Sequence, residues 1–109
     1  MQIESVCELF DRHVPERLQT KPEIAQKVNA IFKFVISGEE GGIWTVDLTQ
    51  AGGRVIKSDD EAQCVITISA QDIIAIVNGK LSAQKAFMFG KLKVAGDISL
   101  ALKLGTIFG

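Results

Sequence analysis

Few side chains in this sequence combine a reactive type with the spacing that chemistry requires. His13 is the only histidine. No nucleophile stands evidently near it, and its place near a helix end reads as solvent-facing. Asp47 is the one acid inside a strand-like segment. It falls on the polar side and lacks a reliably paired second carboxylate for acid–base work. Cys7 and Cys64 are the only cysteines. They lie far apart in sequence, without neighbouring ligands at metal spacing, and both read as core, where a free cysteine packs as a small hydrophobe. Asn78-Gly79-Lys80 ends like a phosphate-binding loop, but Ile74 stands where the first glycine is needed. Leu81 stands where a hydroxyl must hold magnesium. There is no Gly-x-Ser-x-Gly elbow. These residues argue against an enzyme and call for neither a metal nor a cofactor.

Composition narrows the classes further. The chain has 109 residues, of which 47% are apolar without counting the ten glycines. A small domain needs most of its apolar residues to stay folded, so a surplus can line a cavity. One domain over residues 1–109 is expected. The net charge of −1 gives no nucleic-acid footprint. The charge is unevenly spread: residues 1–78 hold seven Lys/Arg against twelve Asp/Glu, whereas residues 79–109 hold five lysines against Asp97 alone. Those lysines, Lys80, Lys85, Lys91, Lys93 and Lys103, suit transient contact with an anionic membrane. No apolar run reaches the roughly 20 residues of a membrane span, no secretory leader is read in the first residues, and a cytoplasmic setting is expected.

The elements follow from periodicity. Ile3, Val6, Cys7, Phe10 and Val14 recur at helical spacing, and Pro15 is expected to limit that helix. Thr20 to Glu23 reads as a capping box for a short helix with Ile24 and Val28 on one face. The period then becomes two. Phe32, Phe34 and Ile36, then Trp44, Val46 and Leu48, then Ile66 and Ile68 fall on one apolar face of strands joined by Gly-containing turns. This predicts an antiparallel meander. Ser69 to Asp72 starts a covering helix bearing Ile73, Ile74, Ile76 and Val77, which stops at Asn78-Gly79. Ser82 caps a second short helix through Phe89. Leu92 and Val94 alternate with Lys91 and Lys93 as a last strand. Asp97 caps a final helix expected to run nearly to the end, with an apolar arc too wide for one packing face.

Several of these stretches together resemble the sterol carrier protein-2 family. They are GGIWTVDL at 41–48, Gly79-Lys80-Leu81, KAFMFGKLKVAGD at 85–97 and LALKL at 100–104, and the resemblance covers about residues 31–104. It implies an α+β fold: a five-stranded, mainly antiparallel sheet, helices covering one face, and an apolar tunnel between them closed partly by the C-terminal helix. It implies as ligands a fatty acid, acyl-CoA, phospholipid or sterol. Phe89 replaces a frequent Gln, Asp97-Ile98-Ser99 a frequent Asn-Met-Gly, and Leu102 a frequent Met. The changes keep or raise apolarity near the expected mouth and favour acyl chains.

The expected lining is Phe34, Trp44, Val46, Ile66 and Ile68 from the sheet, and Ile73, Ile76, Val77 and Leu81 from the covering helix and its exit. Phe87 and Met88 come from the short helix, and Leu100, Leu102 and Leu104 from the last one. The leading reading is a non-catalytic intracellular lipid carrier. The alternative is an interaction module whose apolar C-terminal helix docks a partner enzyme or a second copy. An enzyme using Asp47 or His13 is the third.

Overall fold

Alternation along the strands decides which side chains share a face, and the pairing register confirms it. The computed structural model describes residues 2–101, 103, 107 and 108. Strand β1 (Ile31–Ser37) pairs antiparallel with β2 (Gly42–Asp47), placing Phe34 opposite Trp44 and Phe32 opposite Val46. β3 (Arg54–Ile56) pairs antiparallel with β2, with Val55 opposite Val46. β4 (Cys64–Ser69) runs parallel to β1, with Ile66 beside Phe34 and Ile68 beside Ile36. β5 (Leu92–Gly96) returns antiparallel to β4, with Val94 opposite Ile66 and Leu92 opposite Ile68. The five-stranded sheet has the order β3-β2-β1-β4-β5. Because period two is the same on both sides of a pairing, rows such as Trp44–Phe34–Ile66–Val94 form one apolar face.

The sheet is mainly antiparallel, as expected, but the meander is corrected at β4. β2 already occupies one edge of β1, so the chain after β3 crosses to the other edge and arrives parallel. The crossing segment is held over the outer face: the Thr45 hydroxyl donates to the Ser58 carbonyl at 3.0 Å, and the Lys33 ammonium meets the Asp59 carboxylate at 2.7 Å. Thr45 is thereby buried although it lies opposite the apolar face.

The N-terminal cover also departs from expectation. Its first helix, α1 (Val6–Glu8), begins after Ser5, whose hydroxyl accepts the Glu8 N–H at 3.0 Å. Ile3 precedes the helix and is clamped by Asn78, which accepts its N–H at 2.7 Å and donates to its carbonyl at 2.8 Å. A π-helical stretch, Leu9–His13, leads into α2 (Val14–Thr20), so Pro15 lies within the helix and does not end it. Proline in an α-helix clashes with the carbonyl four residues back. The wider π turn, in which Val14 N–H bonds the Leu9 carbonyl, changes that spacing just before Pro15. Thr20 does not cap the next helix: it ends α2 and its hydroxyl donates back to Glu16, while α3 (Glu23–Val28) starts after Pro22. Cys7 is exposed, which corrects its reading as core, whereas Cys64 is fully buried.

The remaining helices match their caps. α4 (Ala70–Val77) is capped by Ser69 through the Asp72 N–H and stops at Asn78 and Gly79, the latter at φ +77°. α5 (Ala83–Met88) is capped by Ser82. α6 (Ile98–Ala101) starts where Asp97 accepts the Ser99 N–H. Beyond it, Lys103 lies in a turn, its N–H bonded to the Leu100 carbonyl at 3.0 Å, and Ile107 and Phe108 are again helical; the rest of the expected final helix lies outside the described residues. Leu102 and Leu104 lie outside the described residues.

Candidate functional site

The apolar sheet face is covered in two unlike ways. Over β2 and β1 the N-terminal helices pack tightly. Phe10 stacks on Trp44 with centroids 5.0 Å apart and meets Phe34 at 5.1 Å. Over β4 and β5 the cover stands off, leaving a cavity of about 250 Å³. Phe34, Ile66, Ile68 and Leu92 form its floor, Ile73, Ile76 and Val77 of α4 one wall, and Gly79, Ala83 and Phe108 complete it. Among the described residues, no lining side chain bears a polar atom, so this space can hold hydrocarbon.

Six of the fourteen side chains expected from sequence therefore meet on this cavity: Phe34, Ile66, Ile68, Ile73, Ile76 and Val77. Trp44, Val46 and Leu100 are buried elsewhere in the core, and Leu81 packs against it half-buried. Phe87 and Met88 point outward, 49% and 71% exposed. Leu102 and Leu104 are not described. Leu92 and Phe108 were missed as lining. Leu92 was legible as an inward strand residue, but its position on the cavity depends on β5 lying beside β4.

A second cavity of about 290 Å³ shares Val77 and Phe108 with the first, but its other lining residues are His13, Glu16, Arg17, Thr20 and Lys21. An apolar chamber thus abuts a polar vestibule across two side chains. His13 is half-buried here, its Nε2 2.9 Å from the Phe108 carbonyl oxygen. This corrects its reading as solvent-facing.

The other reactive groups stand apart. Asp47 accepts hydrogen bonds from the hydroxyl and N–H of Thr49 and from Gln50. The Thr49 hydroxyl above all holds its carboxyl below the ordinary range, which weakens it as a base. Burial, with a smaller contribution from the Asp97 charge, pushes the Cys64 thiol up to about 11, so it stays protonated and unreactive at neutral pH. Among the described residues, no group of His, Cys, Asp and Glu could hold a metal. Among them too, no helix is long and apolar enough to cross a membrane.

A mixed five-stranded sheet with helices on one face and a hydrocarbon-lined cavity beneath them defines a sterol-carrier-type α+β fold. The profile described as the SCP-2 sterol transfer family matches residues 11–109, and the chain belongs to that family. It is 36% identical over 104 residues to sterol carrier protein 2 of Rattus norvegicus, which spans 91% of this chain and 19% of that protein. It is 40% identical over 84 residues to hydroxysteroid dehydrogenase-like protein 2 of the same organism, 75% of this chain and 16% of that protein. The chain thus spans less than a fifth of either relative's length. The solution structure of Aedes aegypti sterol carrier protein-2 in complex with the C16 fatty acid palmitate superposes with a TM-score of 0.75 at 27% identity. That superposition covers 94% of this chain and 92% of the other.

Proposed function

We propose that this chain binds and transfers lipids without catalysis, with an acyl chain in the apolar cavity and a polar head in the adjoining vestibule. One observation carries the reading: a chamber whose described lining is hydrocarbon side chains shares Val77 and Phe108 with a polar cavity bearing His13, Arg17 and Lys21. An amphiphile needs that pairing, because burying its chain is favourable while its charged head must stay solvated or paired. The palmitate held by the Aedes aegypti relative supports the same ligand class. A fatty acid, an acyl-CoA or a phospholipid each presents such a chain, and a sterol is the least suited. Residues 1–109 act in this reading as one binding domain, in a cytoplasmic setting that keeps Cys7 and Cys64 reduced. Transfer also requires contact with a lipid surface, which the lysine-rich last third suits.

The size of the effect is calculable. Each buried methylene contributes about 0.8 kcal/mol, so roughly 12 of them give about 10 kcal/mol; association costs of at least about 4 kcal/mol leave about 6 kcal/mol, a Kd on the order of tens of micromolar. Palmitate at about 100 times Kd should stabilise the fold by about 2.7 kcal/mol and raise Tm by about 10 °C. An unchanged Tm at saturating palmitate overturns the carrier reading.

A second reading is favoured by Ile98, which is 58% exposed at the start of α6. Here the domain docks on a partner enzyme through its C-terminal segment, in keeping with the much greater length of its relatives. A native mass spectrum separates the two, by a bound lipid in one case and a specific protein partner in the other.

A further inference from the structure

α5 presents its large side chains to water. Its buried residue is Ala86, and the next three positions carry Phe87, Met88 and Phe89. At about 100° per residue these three sweep most of the helix circumference, so no rotation of α5 buries all of them. Phe87 is 49% exposed, and Met88 and Phe89 are 71% exposed each. Large apolar side chains clustered on the surface mark a contact surface.

Charge says which kind. Residues 80–96 contain Lys80, Lys85, Lys91 and Lys93 and no acidic residue. All four lysines are exposed, and among the described residues none takes part in an ion pair. A second copy of the chain is a poor occupant. A two-fold contact would set this lysine collar against itself, and like charges repel. An anionic lipid surface satisfies both features, taking the apolar side chains below the headgroups and the ammonium groups among them. The place in the fold agrees: Gly79 and Ala83, on either side of Lys80, line the cavity and are themselves exposed.

We propose that the Phe87-Met88-Phe89 tip of α5 inserts into the interface of anionic membranes, anchored by Lys80, Lys85, Lys91 and Lys93. This sets the α4–α5 side of the cavity against the bilayer for lipid exchange. The proposal rests on the carrier reading for its purpose, but the docking itself is measured separately from ligand binding.

The test is vesicle flotation with phosphatidylcholine alone and with phosphatidylcholine plus phosphatidylserine. The protein should bind the mixed vesicles and release at high salt. Phe89→Ser should weaken binding about ten-fold, and each Lys→Gln change at 85, 91 or 93 about five-fold, the equivalent of about 1 kcal/mol per lysine. Palmitate binding in solution should be unchanged in Phe89→Ser, so a loss of docking is distinct from a loss of the carrier activity. Phe89→Trp adds a local reporter. The only native tryptophan, Trp44, is fully buried, so a blue shift on adding anionic vesicles reports residue 89 entering lipid. Equal binding by wild type and Phe89→Ser, no shift in Phe89→Trp, or vesicle-independent dimers that Phe89→Ser dissociates would each overturn the proposal.

Discussion

The imidazole Nε2 of His13 lies 2.9 Å from the carbonyl oxygen of Phe108, tying the π-helical stretch near the start of the chain to residues near its end. A carbonyl only accepts, so this nitrogen carries the proton. Phe108 in turn lines the apolar cavity and packs at 5.5 Å from Phe34. The bond therefore holds one wall of the cavity in place from outside.

His13→Ala removes that tie. A single hydrogen bond of this kind is worth about 1 kcal/mol, so Tm should fall by about 5 °C. The larger effect should be on the dissociation rate of palmitate, which should rise because Phe108 is no longer held. Stopped-flow release measured beside thermal melts checks both. A lower Tm with an unaltered release rate shows that the bond is structural only.

Ala83 gives the cleanest test of the cavity, since it lines the space yet is exposed. Ala83→Phe can fill the chamber without breaking a core contact. Palmitate affinity should fall at least about ten-fold, while the ligand-free Tm holds or rises because an empty cavity costs about 24 cal/mol per Å³. Titration calorimetry on both proteins decides it, and unchanged affinity in Ala83→Phe places the ligand elsewhere.

Phe10 is fully buried and stacked on Trp44 with an interplanar angle of 14°. Phe10→Ala should cost about 3–5 kcal/mol, read as a lower urea midpoint. Trp44 emission should change in the folded state, because the ring loses its stacking partner. An unchanged native spectrum contradicts the stack.

The two thiols should behave as opposites. Exposed Cys7 should react with an aromatic disulfide reagent in the native protein, and buried Cys64 only after unfolding. The Cys64 thiol is raised from 9.0 to about 11 in the folded state. The folded state thus keeps a proton that the unfolded state loses, and stability is fully present below pH 9 and declines as pH rises toward about 11. Cys64→Ala should flatten that alkaline decline in urea melts. A decline of the same slope in the variant assigns it to other groups.

Much of the cavity floor was legible in advance. Phe34, Ile66 and Ile68 are inward because side chains alternate along any strand, whatever it pairs with. Ser69 and Ser82 cap α4 and α5 because a cap needs only a hydroxyl and the N–H groups of the next turn. These are interactions within a few residues, and a linear sequence displays them.

What the sequence did not display depends on segments that meet only after folding. Nothing near β4 says that it lies parallel to β1; β2 having taken one edge leaves it the other, and the segment after β3 returns the chain to the end where β1 starts. Pro15 is a helix breaker in isolation, and only the π turn ahead of it lets the helix continue. His13 meets Phe108 across 95 positions. The family resemblance implies Phe87 and Met88 as lining, yet α5 buries Ala86 and turns them outward. Apolarity determines that a side chain benefits from leaving water. Which surface receives it, sheet, ligand or membrane, is decided by where the rest of the chain leaves room, and for α5 that room lies outside the fold.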